Sequence, residues 1–226
     1  MRRKICCVCV CVTLALTASY DAAAQSKKKG KEPELAISKR GNLIFEDDFA
    51  GKELGWVTKD GNWALAKKTL TENSTASGVL SATRVFSPTV DVVAAFRLCL
   101  PSKGWHAFGF GRGKVVLHFF VSEQSVKLGI YNQDTKVVDA VAVLPFVYKK
   151  QRWCDVIVEK LGKAVNVAVD GRTLKAEVPS MDDSPCDAFT VILHRTEKDV
   201  FAIDDVKVWE ALPKDEEDEK DTKKKK

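Results

Sequence analysis

The carboxylates are the first residues that could do chemistry. Glu46-Asp47-Asp48 and Asp204-Asp205 are the adjacent acidic groups flanked by strand-like sequence. Glycoside cleavage needs two carboxyl groups converging on one bond, about 5 Å apart for retention and wider for inversion. Neighbours on a strand point to opposite faces, so neither group converges by itself. Strand-end solvation and turn formation explain both. Calcium at Asp48 and Asp205 is the alternative, if the strands carrying them meet, because calcium collects several carboxylate and carbonyl oxygens.

Three histidines come next: His106, His118 and His194. No two have metal-ligand spacing, and no Ser or Cys nucleophile motif accompanies them. In an extended chain His106 shares a face with Phe108 and Phe110, His118 with Val116 and Phe120, and His194 with Ile192. Arg97 alternates away from Phe96 and Leu98. Gly109, Gly111 and Gly113 lack the following helix and Lys-Ser/Thr of a nucleotide loop, so they read as a hairpin. Cys99, Cys154 and Cys186 are too widely spaced for a zinc motif. Buried thiols and a single disulfide among the three are both open, the second because an oxidising compartment permits it.

These residues sit on short β-rich runs. Val92–Leu100 stops at Pro101. Trp105–Phe110, Lys114–Val121, Val126–Tyr131 and Val137–Leu144 follow, then Trp153–Lys160 and Ala164–Val169. Asp170-Gly171 marks a tight hairpin, since its geometry needs positive φ. Arg172–Val178, Ala188–His194 and Val200–Trp209 close the series, and shorter runs precede residue 90. Nothing holds a 3.6-residue apolar period for three turns. The pattern predicts an all-β fold, a two-sheet antiparallel β-sandwich of jelly-roll type.

The ends differ from this middle. Arg2, Arg3 and Lys4 precede an apolar run, Ile5–Ala18, and Ala22-Ala23-Ala24 supplies small residues before Gln25. That is the pattern of a cleaved signal peptide over 1–24, and the run is shorter than the roughly 20 residues of a spanning helix. Export to periplasm, cell surface or medium is expected, with no transmembrane anchor. Residues 25–40 read as a flexible linker, 41–212 as the sandwich and 213–226 as a disordered charged tail. The tail's lysines could touch anionic envelope polymers or proteins. Net charge over the whole chain is +5, but residues 41–212 carry 21 basic and 22 acidic residues. The domain is nearly neutral, which argues against nucleic acid as its partner.

Three motifs carry a resemblance. The first is Asn42-Leu43-Ile44-Phe45-Glu46-Asp47-Asp48-Phe49 with Glu53-Leu54-Gly55-Trp56 and Asp60-Gly61-Asn62-Trp63. The second is Trp153-Cys154-Asp155-Val156-Ile157-Val158-Glu159 leading to Val165–Gly171. The third is Val200–Glu210, with Asp204-Asp205 inside it. Together they resemble the concanavalin A-like sandwiches of secreted bacterial proteins, closest to the group named for 3-keto-disaccharide hydrolase. That family often has His where this chain has Cys154.

The resemblance implies a carbohydrate ligand or substrate and terminal strands lying side by side. The laminarinase-like members of the superfamily carry Glu-x-Asp-x-x-Glu, which is absent here. The expected function is therefore a secreted carbohydrate-binding module holding glycan on the concave sheet without covalent chemistry. Its expected contacts are Arg97, Trp105, His106, Tyr131 and His194, provided their strands are neighbours. Hydrolysis or lysis of 3-keto-glycosides is the first alternative. A structural role in envelope interactions is the second.

Overall fold

The computed structural model describes residues 34–74, 78–100, 105–112, 115–122, 124–132, 134–146, 152–181, 183–195 and 200–215. The expected signal peptide, linker residues 25–33 and the tail from 216 lie outside them. Among the described residues no helix is long and apolar enough to cross a membrane.

The strands are β1 (Lys39–Asp47), β2 (Val57–Lys59), β3 (Trp63–Ala66), β4 (Thr69–Glu72) and β5 (Gly78–Thr89). Then come β6 (Val92–Cys99), β7 (Trp105–Phe110), β8 (Val115–Ser122), β9 (Ser125–Asn132) and β10 (Val137–Pro145). The last five are β11 (Trp153–Leu161), β12 (Ala164–Val169), β13 (Arg172–Glu177), β14 (Cys186–Arg195) and β15 (Phe201–Leu212).

They form two antiparallel sheets. The first runs β13-β12-β11-β6-β15-β4-β3, with β1 also paired to β15. The second runs β10-β9-β8-β7-β14-β5-β2. The expected hairpin at Asp170-Gly171 is present, with φ of 47° and 78° at the two residues. First and last strands do lie side by side, Glu46 facing Lys207 and Asp47 facing Val206.

One apolar layer fills the space between the sheets. Phe96 of the first sheet packs on Phe108, Phe119 and Phe189 of the second, with ring centroids 4.9–6.1 Å apart. Burying such rings removes apolar area from water at about 25 cal/mol per Å², the main favourable term of folding.

A bulge keeps β15 in register with this core. Phe201 and Ile203 point inward before it, Val206 and Val208 after it, so the inward set changes from odd to even positions. Asp205 makes the change at φ 52°, and its backbone N–H donates to the Asp204 carboxylate at 2.8 Å. A bulge inserts one residue and lets both halves of a strand keep the same face inward.

Residues ahead of the expected boundary at 41 also pack on the sandwich. Residues 34–38 cross the outer face of the first sheet. Glu159, buried on β11, accepts from the Ala36, Ile37 and Ser38 N–H groups at 2.8, 2.9 and 3.0 Å. It also accepts from the Ser38 hydroxyl and the Asn166 amide, both at 2.8 Å. Five donors satisfy a carboxylate that would otherwise be costly to bury. Leu35 completes the strap by joining Val93, Ile157 and Ala211 in a small second apolar cluster.

Candidate functional site

The outer face of the second sheet is built by strict alternation. Leu117, Phe119 and Val121 of β8 enter the core, so His118 and Phe120 point away from it. On β9, Val126, Leu128 and Ile130 enter the core and leave Lys127, Gly129 and Tyr131 outside. On β14, Phe189, Val191 and Leu193 are core, while Thr190, Ile192 and His194 face outward.

Register then sets these residues in rungs across the sheet. One rung is Gly129, His118, Gly109, Thr190, Thr83 and Val57. The next is Lys127, Phe120, Ala107, Ile192, Ser81 and Lys59. On the other side of the first rung, Tyr131 pairs with Val138 and Val116.

Glycine makes the aromatic part possible. A Cβ on Gly109 would lie 2.6 Å from His118 Cδ2, and one on Gly129 would lie 2.8 Å from Val138 Cγ1. The imidazole therefore sits against the bare backbone of Gly109. It stacks on Tyr131 with centroids 5.3 Å apart and planes 2° apart, and meets Phe120 edge-on at 5.8 Å. His118 is buried, and that burial lowers its pKa to about 4. Loss of hydration disfavours the imidazolium, so the ring is neutral near pH 7. Beside this patch the Thr83 and Thr190 hydroxyls are 3.1 Å apart and hydrogen-bond to each other.

The structure separates the five residues expected to form a groove. Tyr131 is in the patch. Trp105 and His194 are register partners on β7 and β14, four positions along from the Gly109–Thr190 pair. His106 is inside the sandwich, fully buried, with its ring 6.4 Å from that of Phe201 in the opposite sheet. It cannot reach a ligand on the outer face. Arg97 is on the other sheet altogether. Its guanidinium lies 3.5 Å from Asp155, 3.7 Å from Asp204 and 5.0 Å from the centroid of the Trp153 ring. Sequence reasoning left His118, Phe120 and the two glycines out of the site. The signal was available, because His118 and Phe120 alternate with three core residues.

The other candidates make local contacts. Asp48 accepts from the Ala50 N–H at 3.1 Å in a local turn, and Asp205 lies 3.9 Å from Lys207. Among the described residues no three His, Cys, Asp or Glu side chains gather as a metal site. Cys99, Cys154 and Cys186 are free and buried, so no disulfide joins them. Burial raises their pKa values to about 11, 12 and 12.

Two antiparallel sheets packed in this order form a jelly-roll β-sandwich. Solved structures share it. A carbohydrate-binding module from Bacillus subtilis is 15% identical, with a TM-score of 0.54 over 70% of this chain and 97% of its own. A Bacillus subtilis protein of unknown function with a galectin-like fold gives 0.64 at 8% identity, over 79% and 100%. Bacillus licheniformis β-glucanase gives 0.59 at 10% identity, over 76% and 99%. No protein-family model matches the chain, and neither does any curated protein sequence. At these identities the likeness defines the fold, and function has to be argued from the site.

Proposed function

We propose that the protein is an exported carbohydrate-binding module whose ligand lies on the outer face of the second sheet. The observation that carries this is the His118–Tyr131–Phe120 patch seated over the glycine floor. A sugar ring presents an apolar face that stacks on aromatic side chains, and its hydroxyls pair with nearby polar groups. Thr83, Thr190 and the neutral His118 supply donors and acceptors on that face. The carbohydrate-binding and glucanase neighbours make this a fitting ligand for the fold.

Binding without cleavage fits the same face better than hydrolysis. Glycoside hydrolysis draws on a pair of carboxyl groups. The rungs of this face, from Val138 and Tyr131 across to Val57 and Lys59, hold no Asp or Glu. The narrower resemblance to 3-keto-disaccharide hydrolases rests on the three sequence motifs.

One experiment separates the readings. The protein is run against a panel of immobilised glycans, and each candidate is also assayed for product, 3-keto-glycosides included. A binding module retains glycan, loses retention when Tyr131→Ala is introduced, and releases nothing. Turnover of a 3-keto-glycoside would favour the enzyme. No retention and no turnover would leave the envelope-interaction role.

Calcium at Asp48 and Asp205 belongs to the proposal as a separate element. The two residues flank the end of the β1–β15 pair, and carbonyl oxygens would have to complete the shell. Bound calcium would raise the melting temperature by mass action, and Asp48→Asn with Asp205→Asn would cancel the rise. A melting curve unmoved by millimolar calcium excludes it.

A further inference from the structure

From the charge pattern of this face we infer that its ligand is an acidic polysaccharide, a sugar chain bearing carboxylate or sulfate groups. The inference rests on the glycan-binding reading above and adds its chemical class.

The chain as a whole has 31 acidic residues, yet none occupies the rungs of the outer face. Two lysines do. Lys127 on β9 and Lys59 on β2 end the same rung, with Phe120, Ala107, Ile192 and Ser81 between them. Both are exposed, and neither forms an ion pair with another described residue. Several cations elsewhere in the domain are neutralised locally: Arg97 by Asp155 and Asp204, Arg112 by Asp187, Lys160 by Asp91 and Lys163 by Glu177.

Spacing gives the arrangement a direction. Five inter-strand steps of about 4.8 Å put the two Cα atoms about 24 Å apart. That is room for an extended run of several sugar rings laid across the strands. Such a chain would place rings over Phe120 and the small residues of the rung and an anionic group near each ammonium. A face without carboxylates offers no repulsion to such a chain. A neutral glycan would leave both lysines merely solvated, contributing nothing to selection.

The test uses the full chain and affinity electrophoresis. The probes are polygalacturonate and its carboxyl-reduced form, dextran sulfate and dextran, and a single-stranded DNA oligomer. Proteins compared are wild type, Lys59→Ala with Lys127→Ala, Tyr131→Ala, and a chain with Lys223–Lys226 changed to Ser. Two solvent-exposed charge pairs predict about three- to tenfold weaker binding of an acidic polymer by the double-lysine variant. Salt should weaken the wild type in the same sense. Which acidic polymer is preferred tells carboxylate from sulfate.

Retention of an acidic polymer above its neutral partner, lost in the double-lysine variant and kept in the tail variant, supports the inference. Equal retention of acidic and neutral polymers overturns it and leaves the glycan-binding reading intact. Acidic retention lost only in the tail variant overturns it too, since the tail would then hold the polymer. Equal retention of DNA overturns it in favour of general polyanion binding. Retention of no polysaccharide removes the glycan-binding reading as well.

Discussion

Acid should destabilise this domain through His118. The imidazole is buried between Tyr131, Phe120 and the backbone of Gly109, and its pKa is lowered to about 4 from an ordinary 6.5. The cause is lost hydration, and no carboxylate stands on the neighbouring rungs to stabilise the charged ring. The folded state therefore refuses a proton that the unfolded chain accepts. Stability contributed by the neutral ring is present above pH 6.5, is lost as pH falls from 6.5 to 4, and changes no further below 4. Between pH 7 and pH 5 the loss comes to about 2 kcal/mol, from proton binding to the unfolded chain alone. Chemical denaturation followed by tryptophan fluorescence at pH 7, 6 and 5 measures it. His118→Phe removes the titrating group. Its packing cost is the same at each pH, so the difference between pH values cancels it. Wild type should lose about 2 kcal/mol more than the variant between pH 7 and 5. Parallel pH profiles would refute a buried, neutral His118 and with it the geometry of the patch.

Gly109→Ala should push His118 off its floor, since the new Cβ would meet the imidazole at 2.6–2.7 Å. The expected cost is about 1–3 kcal/mol, partly relieved when His118→Ala is added, as a double-mutant cycle would show. Ellman's reagent at pH 8 should leave the native domain unlabelled. Cys99, Cys154 and Cys186 should all react after denaturation, because burial holds their thiols protonated in the fold. Glu159→Ala should release residues 34–38 from the first sheet and cost about 2–4 kcal/mol for the buried donors it strands. Faster hydrogen exchange at Ala36–Ser38 checks it, and unchanged exchange there would contradict the clamp.

Much of the fold is written locally. Alternation in β8, β9, β11 and β14 tells which side chains share a face, because a strand has a period of two. Asp170-Gly171 selects its own turn. Even the bulge in β15 leaves a trace, since the apolar positions change from 201 and 203 to 206 and 208 across Asp204-Asp205. His106 could have been placed inside on the same grounds, sharing its face with the core residues Phe108 and Phe110.

What alternation cannot supply is the identity of a strand's neighbours. Arg97 and Tyr131 both face outward, and the sequence treats them alike. Only the pairing of β6 with β11 and β15, and of β9 with β8 and β10, sends them to opposite sides of the sandwich. Those pairings join segments far apart in the chain: Thr83 meets Thr190, and Lys39 meets Leu212. They are selected by the fit of whole inner faces against one another, a collective packing property that no short stretch encodes. The carboxylate pairs and histidines were readable as residues from the start. Tertiary structure decided that His106 is core, that Arg97 is elsewhere, and that Gly109 on the neighbouring strand leaves room for the His118 ring of the aromatic patch.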